Sequence, residues 1–248
     1  MWLHLIKIFP GIVALISLVA GLGIPVEAGA DTEKAIWERG RVSLPVSMIR
    51  AGECRSGIIR NLEPVCSAQK VPAVIFMHGC SGLNFRQFDH MDMFSKLGYP
   101  VFAPSSFARP GREKSCGRAD SVMDWRLEEI KIALENVRKM PWIDQSKLIL
   151  AGFSEGGIAT AEYGGNEFIA HIGMGFGCDR RQFAVSNDTA VLQINGKNDQ
   201  EVSEIELCTQ GSRKKFKAIY VDTGHPVDKD PVTIKTIEEF LDDVLGKS

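Results

Sequence analysis

The stretch Lys147-Leu148-Ile149-Leu150-Ala151-Gly152-Phe153-Ser154-Glu155-Gly156-Gly157 decides the architecture. Lys147–Ala151 reads as a buried strand, and a helix-like segment follows Ser154. A Gly-x-Ser-x-Gly pentapeptide between strand and helix is a tight turn that lifts the serine hydroxyl above the carboxyl edge of a sheet. Such a turn is strained, and flanking glycines keep neighbouring Cβ atoms from colliding. The helix that follows points the positive end of its dipole at the serine, where negative charge would develop.

Working outward, apolar runs of strand length recur at Ala73–Met77, Pro100–Ala103, Leu148–Ala151, Ile169–Phe176, Ala190–Ile194 and Phe216–Val221. They are continuous rather than alternating, as strands covered on both faces of a parallel sheet should be. An earlier strand is expected at 41–49, at an edge because of Pro45. Helical spacing is clearest over Ala119–Lys139, where Val122, Trp125, Leu127, Ile130, Ala133, Leu134 and Val137 form an apolar face. Further helices are expected after Ser154, near Ser203–Cys208 and over Pro231–Leu245. This alternation predicts an α/β fold with a mostly parallel sheet and helices on both faces. Ligands of such sheets bind outside the carboxyl ends of the strands, so the loops there are where chemistry belongs.

The chain has 248 residues, 29 basic and 31 acidic, and this near-balance argues against nucleic acid as the main partner. Residues 1–30 read as a signal peptide, with an uncleaved membrane anchor as the alternative: His4 and Lys7, an apolar run from Ile8 to Pro25, then Ala28-Gly29-Ala30 as a cleavage site. Residues 31–248 are then expected to form a single domain, secreted or periplasmic, with no membrane attachment after cleavage. Six cysteines agree with export and predict a disulfide framework. Of the 15 possible connectivities, the pairs Cys54–Cys66, Cys80–Cys116 and Cys178–Cys208 are preferred, because each closes a loop between neighbouring elements. No CxxC pair or HExxH occurs, and neither a metal nor an organic cofactor is implied.

A serine hydroxyl needs a base, and the base needs an orienting acid. After Ser154 the histidines are His171, inside an apolar strand and so structural, and His225, just past the last strand. His225 is the candidate base. Asp199, in the turn Asn195-Gly196-Lys197-Asn198-Asp199, is the candidate acid, ahead of Asp222, Asp228 and Glu201. Charge on a tetrahedral intermediate needs two positioned donors. The N–H groups of Glu155 and of Cys80, in His78-Gly79-Cys80-Ser81-Gly82, are the candidates, with His78 as a brace for that loop.

The His-Gly-Cys-Ser-Gly loop, the Gly-Phe-Ser-Glu-Gly-Gly turn, the Gly-Lys-Asn-Asp turn and the late Gly-His together resemble the dienelactone hydrolase family of α/β-hydrolases, over roughly residues 45–245. The order Ser154, Asp199, His225 is that of the superfamily. Members proper use a cysteine nucleophile, where this chain has Ser154. The resemblance implies an α/β-hydrolase fold and a serine hydrolase of small carboxylic esters or lactones, working through an acyl-enzyme. The short span from Cys178 to Thr189 leaves no room for a lid, which points to small substrates. Gly79, Phe153 and Arg109 are candidate substrate contacts; Arg109 belongs to a basic cluster with Arg112, Lys114 and Arg118. Phe85, Phe107, Phe153 and Trp142 are open to two roles, pocket lining or core. An acyltransferase or peptidase could use the same three groups, and a binding protein without catalysis would show a broken set.

Overall fold

The computed structural model describes residues 26–50, 54–178, 182–201 and 207–247. The apolar run Ile8–Pro25 and most of the helix expected at Ser203–Cys208 lie outside them. The first described element is helix α1 (Val26–Glu38), which contains Ala28-Gly29-Ala30.

The strands β1 (Arg41–Ser43), β2 (Gly57–Ile58), β3 (Val71–Met77), β4 (Val101–Ala103), β5 (Ile143–Phe153), β6 (Ala170–Met174), β7 (Ala190–Gly196) and β8 (Phe216–Val221) form one eight-stranded sheet. Their order is β2-β1-β4-β3-β5-β6-β7-β8. β1 is antiparallel to β2 and β4, and every other pairing is parallel. Helix α2 (Val46–Arg50) follows β1, α3 (Phe85–Lys96) follows β3, and α4 (Met123–Val137) precedes β5. α5 (Glu155–Glu162) leaves β5, and α6 (Pro231–Leu245) closes the chain. The α/β fold expected from the strand runs is the fold observed.

The continuous apolar runs are explained by the two faces they bury. In β3, Ala73, Ile75 and Met77 pack with α1 and α4, while Val74 and Phe76 pack with α3. β5 divides in the same way, with Leu148 and Leu150 on one face and Ile149, Ala151 and Phe153 on the other.

Two expectations are corrected. The strand at 41–49 ends at Ser43, and the edge of the sheet is β2 instead. Pro45, whose carbonyl accepts from Met48 and Ile49, opens α2 there. On α4 the buried face includes Arg126 and Glu129, while Trp125 and Leu127 are only half-buried. Hydrophobic spacing alone could not place two charged residues inside. α3 was not expected; Asn84, whose side chain accepts from Arg86 N–H, is its N-terminal cap.

Register matters for function. Met77 pairs with Gly152, Phe153 with Met174, Met174 with Ile194, and Gly196 with Val221. The carboxyl ends of β3, β5, β6, β7 and β8 are thereby level, and their loops emerge along one edge.

Candidate active site

Ser154 sits at the end of β5 with φ 56° and ψ −122°, and among the described residues it alone, apart from glycines, has a positive φ. Strain of this kind persists only where the surroundings over-determine it. Here they do. Ser154 N–H donates to Met174 O at 2.8 Å and its carbonyl accepts from Ile158 N–H at 3.0 Å. Gly156 presses so close to β3 that a Cβ there would lie 1.8 Å from Met77 O. Among the described residues no hydrogen bond to the Ser154 hydroxyl is formed.

The loops after β7 and β8 meet beside this turn. Lys197 N–H donates to Val221 O at 2.8 Å and Asn198 N–H to Thr223 O at 2.9 Å. A Cβ on Gly196 would fall 2.0 Å from Gly224 O, so the close approach requires glycine. The outcome is that His225 Nδ1 donates to Asp199 Oδ2 at 2.6 Å, with both residues buried. The second Asp199 oxygen accepts from Glu201 N–H at 2.8 Å. The Glu201 carboxylate itself stands 3.9 Å from His225 Nε2 at the exposed mouth. Asp222 is exposed and accepts from Asn198, and Asp228 lies 3.5 Å from His90.

Phe153 is buried, its ring 4.6 Å from that of His225 and 4.2 Å from that of His90. It is a wedge between two imidazoles. Burial, foremost, pulls the His90 pKa below its ordinary value, against the Asp228 charge.

The loop after β3 reaches over Ser154, for a Cβ on Gly79 would be 3.4 Å from the Ser154 Cβ. Gly79 N–H is taken by Gln87 Oε1 at 2.9 Å. Cys80 N–H donates to no protein group among the described residues, and the first N–H groups of α5 have no partner within the helix. His78 is fully buried, its Nδ1 donating to Gly79 O and its Nε2 accepting from Ser106 N–H. Burial, then the neighbouring Arg126 charge, push its pKa well below the usual histidine value. It is a neutral brace. His171, inside β6, donates from Nδ1 to Thr160 O, and burial lowers its pKa to about 4.

All three disulfides expected by preference are formed, and Cys80–Cys116 ties the loop after β3 to the loop after β4. Two members of the basic cluster in the latter loop, Arg109 and Arg112, are paired with carboxylates. Arg112 turns inward to Glu155 at 2.6 Å, and Arg109 pairs with Glu128 at 2.6 Å and Glu129 at 3.9 Å. Arg109 is thus committed to α4 rather than presented to Ser154. Trp142 is core, donating to Pro64 O, whereas Phe85 is exposed and Phe107 packs over Gly82. Gln87 was missed together with α3, and Arg126 and Glu129 because their charges read as solvated. Among the described residues no group of three or more His, Cys, Asp or Glu could hold a metal ion.

The dienelactone hydrolase family model matches residues 62–221, well over half of the chain. The chain belongs to the dienelactone hydrolase family. No curated protein sequence matches it. Among solved structures, m3DLH is similar with 18% identity and a TM-score of 0.57, over 72% of this chain and 88% of that one. The dienelactone hydrolase-like promiscuous phosphotriesterase P91 from metagenomic libraries gives 15% identity and 0.51, over 73% and 88%. Est1E from Butyrivibrio proteoclasticus, solved with ferulic acid bound, gives 12% and 0.51, over 84% and 94%. At such identities these structures speak to the fold. This dienelactone hydrolase family member is an α/β hydrolase.

Proposed function

We propose that this hydrolase cleaves small carboxylic esters or lactones through an acyl-enzyme on Ser154. The observation that carries the reading is the strained Ser154 turn at the same sheet edge as the 2.6 Å His225–Asp199 pair. In this reading Ser154 Oγ attacks the ester carbonyl while His225 Nε2 takes the hydroxyl proton. Asp199 holds Nδ1–H and stabilises the imidazolium. The tetrahedral oxyanion sits against the N–H groups of Cys80 and Glu155. Its collapse expels the alkoxide, which receives the proton from His225. Water then attacks the acyl group, again giving its proton to His225, and Ser154 is released with the carboxylic acid.

The substrate is small because the residues between Cys178 and Thr189 are too few for a lid, and it touches Gly79 and Phe153 at the turn. The three disulfides and the apolar N-terminal run support export. Among the described residues no helix is long and apolar enough to cross a membrane.

The test is hydrolysis of p-nitrophenyl acetate and butyrate beside Ser154→Ala, with a fluorophosphonate label. Turnover and labelling are expected to vanish together in the variant. A folded, disulfide-intact wild type that takes no label overturns the serine mechanism.

A further inference from the structure

Behind the nucleophile lies a closed set of buried charges. Glu155, the residue after Ser154, accepts at Oε1 from Arg112 Nη2 at 2.6 Å, with Arg126 Nε 3.5 Å away, and at Oε2 from Ser115 Oγ. Arg112 Nε donates to Ser106 Oγ at 2.9 Å, and Ser106 Oγ donates to Glu129 Oε1 at 2.8 Å. Arg126 closes the set, donating to Glu129 Oε2 at 2.6 Å and to His78 O at 2.6 Å. The side chains of Arg112, Arg126, Glu129 and Glu155 are almost wholly inaccessible. Two arginines and two glutamates balance, which is what makes such burial tolerable.

The loop after β4, residues 104–118, therefore reaches both N–H groups assigned to the oxyanion. It holds Cys80 covalently through Cys116, and it holds Glu155 through Arg112 and Ser115. Buried ion pairs are no strong source of stability, because desolvation offsets their attraction. They do fix geometry. A donor at the oxyanion acts through its position. We propose that Arg112 is a positioning residue: by gripping the Glu155 carboxylate it sets where the Glu155 N–H points, and so the oxyanion geometry. The proposal rests on the reading of Ser154 as nucleophile.

The experiment compares wild type with Arg112→Lys and with the paired Arg112→Met/Glu155→Met variant. The pair removes both charges, so neither is stranded should Arg112→Lys fold poorly. Active sites are titrated with a fluorophosphonate, and p-nitrophenyl butyrate kinetics and inhibition by a boronic acid are read per labelled site. Both variants are expected to lose roughly 10-fold to 100-fold in kcat with KM within about twofold, short of the ~10²–10³-fold cost of deleting a donor outright. Boronate affinity falls by a similar factor. A purely structural role would lower only the melting temperature, and wild-type kcat per labelled site in either variant overturns the proposal. A wild type that takes no label removes the serine reading instead, and the proposal with it.

Discussion

On the proposed nucleophile side of the site, Ser154, Glu155 and Cys80 are held by a glycine-packed turn, a disulfide and a buried charge network. On the proposed base side, Asp199 and His225 meet through a short hydrogen bond between two loops joined by a few backbone contacts. The contrast follows from what each side is asked to do. Donors to a developing charge are useful only when fixed before the charge appears. An imidazole that takes and returns a proton needs its ring oriented and little else. Damage on the nucleophile side should therefore cost stability as well as rate, and damage on the base side should cost rate alone.

The largest effect tests the base side. Asp199→Asn keeps the shape of the buried acid but offers His225 Nδ1 a donor in place of an acceptor, favouring the wrong tautomer. We expect kcat to fall by about 10⁴-fold, with an unfolding free energy within about 1 kcal/mol of wild type. Ester kinetics and urea denaturation measure the two. A stability loss as severe as any on the nucleophile side would erase the contrast.

Gly156→Ala tests the other side. The new methyl would sit 1.8 Å from Met77 O and 2.8 Å from His78 O, both backbone atoms of β3 and the loop after it. The turn or the strand must move, at a cost of more than about 3 kcal/mol. By calorimetry the melting temperature should fall by about 10 °C, and kcat should fall with it.

Acid lability is also loaded on the nucleophile side. His171 braces α5 through Thr160 O and is held at about 4, against an ordinary value of 6.5. Between these pH values the unfolded chain binds a proton that the folded chain refuses. Stability thus falls as pH drops through that window and levels off below about 4. The His171 share is at most about 3 kcal/mol. Urea midpoints at pH 7 and pH 5 should differ less in His171→Gln than in wild type. The buried His78 titrates in the same direction and keeps the variant from becoming insensitive to pH. An unchanged pH difference would show that burial of His171 is not the source.

How much of this was legible in the sequence follows the same division. Strand runs buried on both faces declare a parallel sheet, and the Gly-Phe-Ser-Glu-Gly-Gly turn announces itself because only that spacing permits the close approach seen at Gly156. Asp199 and His225 were readable as candidates because each stands in the loop just after a strand. The charge network was not readable. Arg112 carries no mark of burial, and although the period of α4 puts Arg126 one turn before the buried Ile130, its charge and that of Glu129 argue for solvent. Their partners come from segments far apart in the chain, so only the fold brings them together. Gln87 stayed hidden with α3, whose cap at Asn84 is the signal that could have revealed it.

Arg109 gives the smallest effect and settles whether the loop after β4 also meets substrate. Its guanidinium pairs with Glu128, which is partly exposed, and lies 5.4 Å from the Trp125 ring. Such a half-solvated pair is worth at most about 1 kcal/mol. Glu129 would not be stranded by its loss, because Arg126 and Ser106 still hold both carboxylate oxygens. Arg109→Ala should therefore leave the melting temperature within a few degrees of wild type. It should also change kcat/KM for a neutral p-nitrophenyl ester and for an ester bearing a free carboxylate by the same small factor. A rise in KM confined to the anionic ester would mean that Arg109 leaves Glu128 to bind substrate. The loop after β4 would then serve the reaction twice, from inside through Arg112 and from the mouth through Arg109.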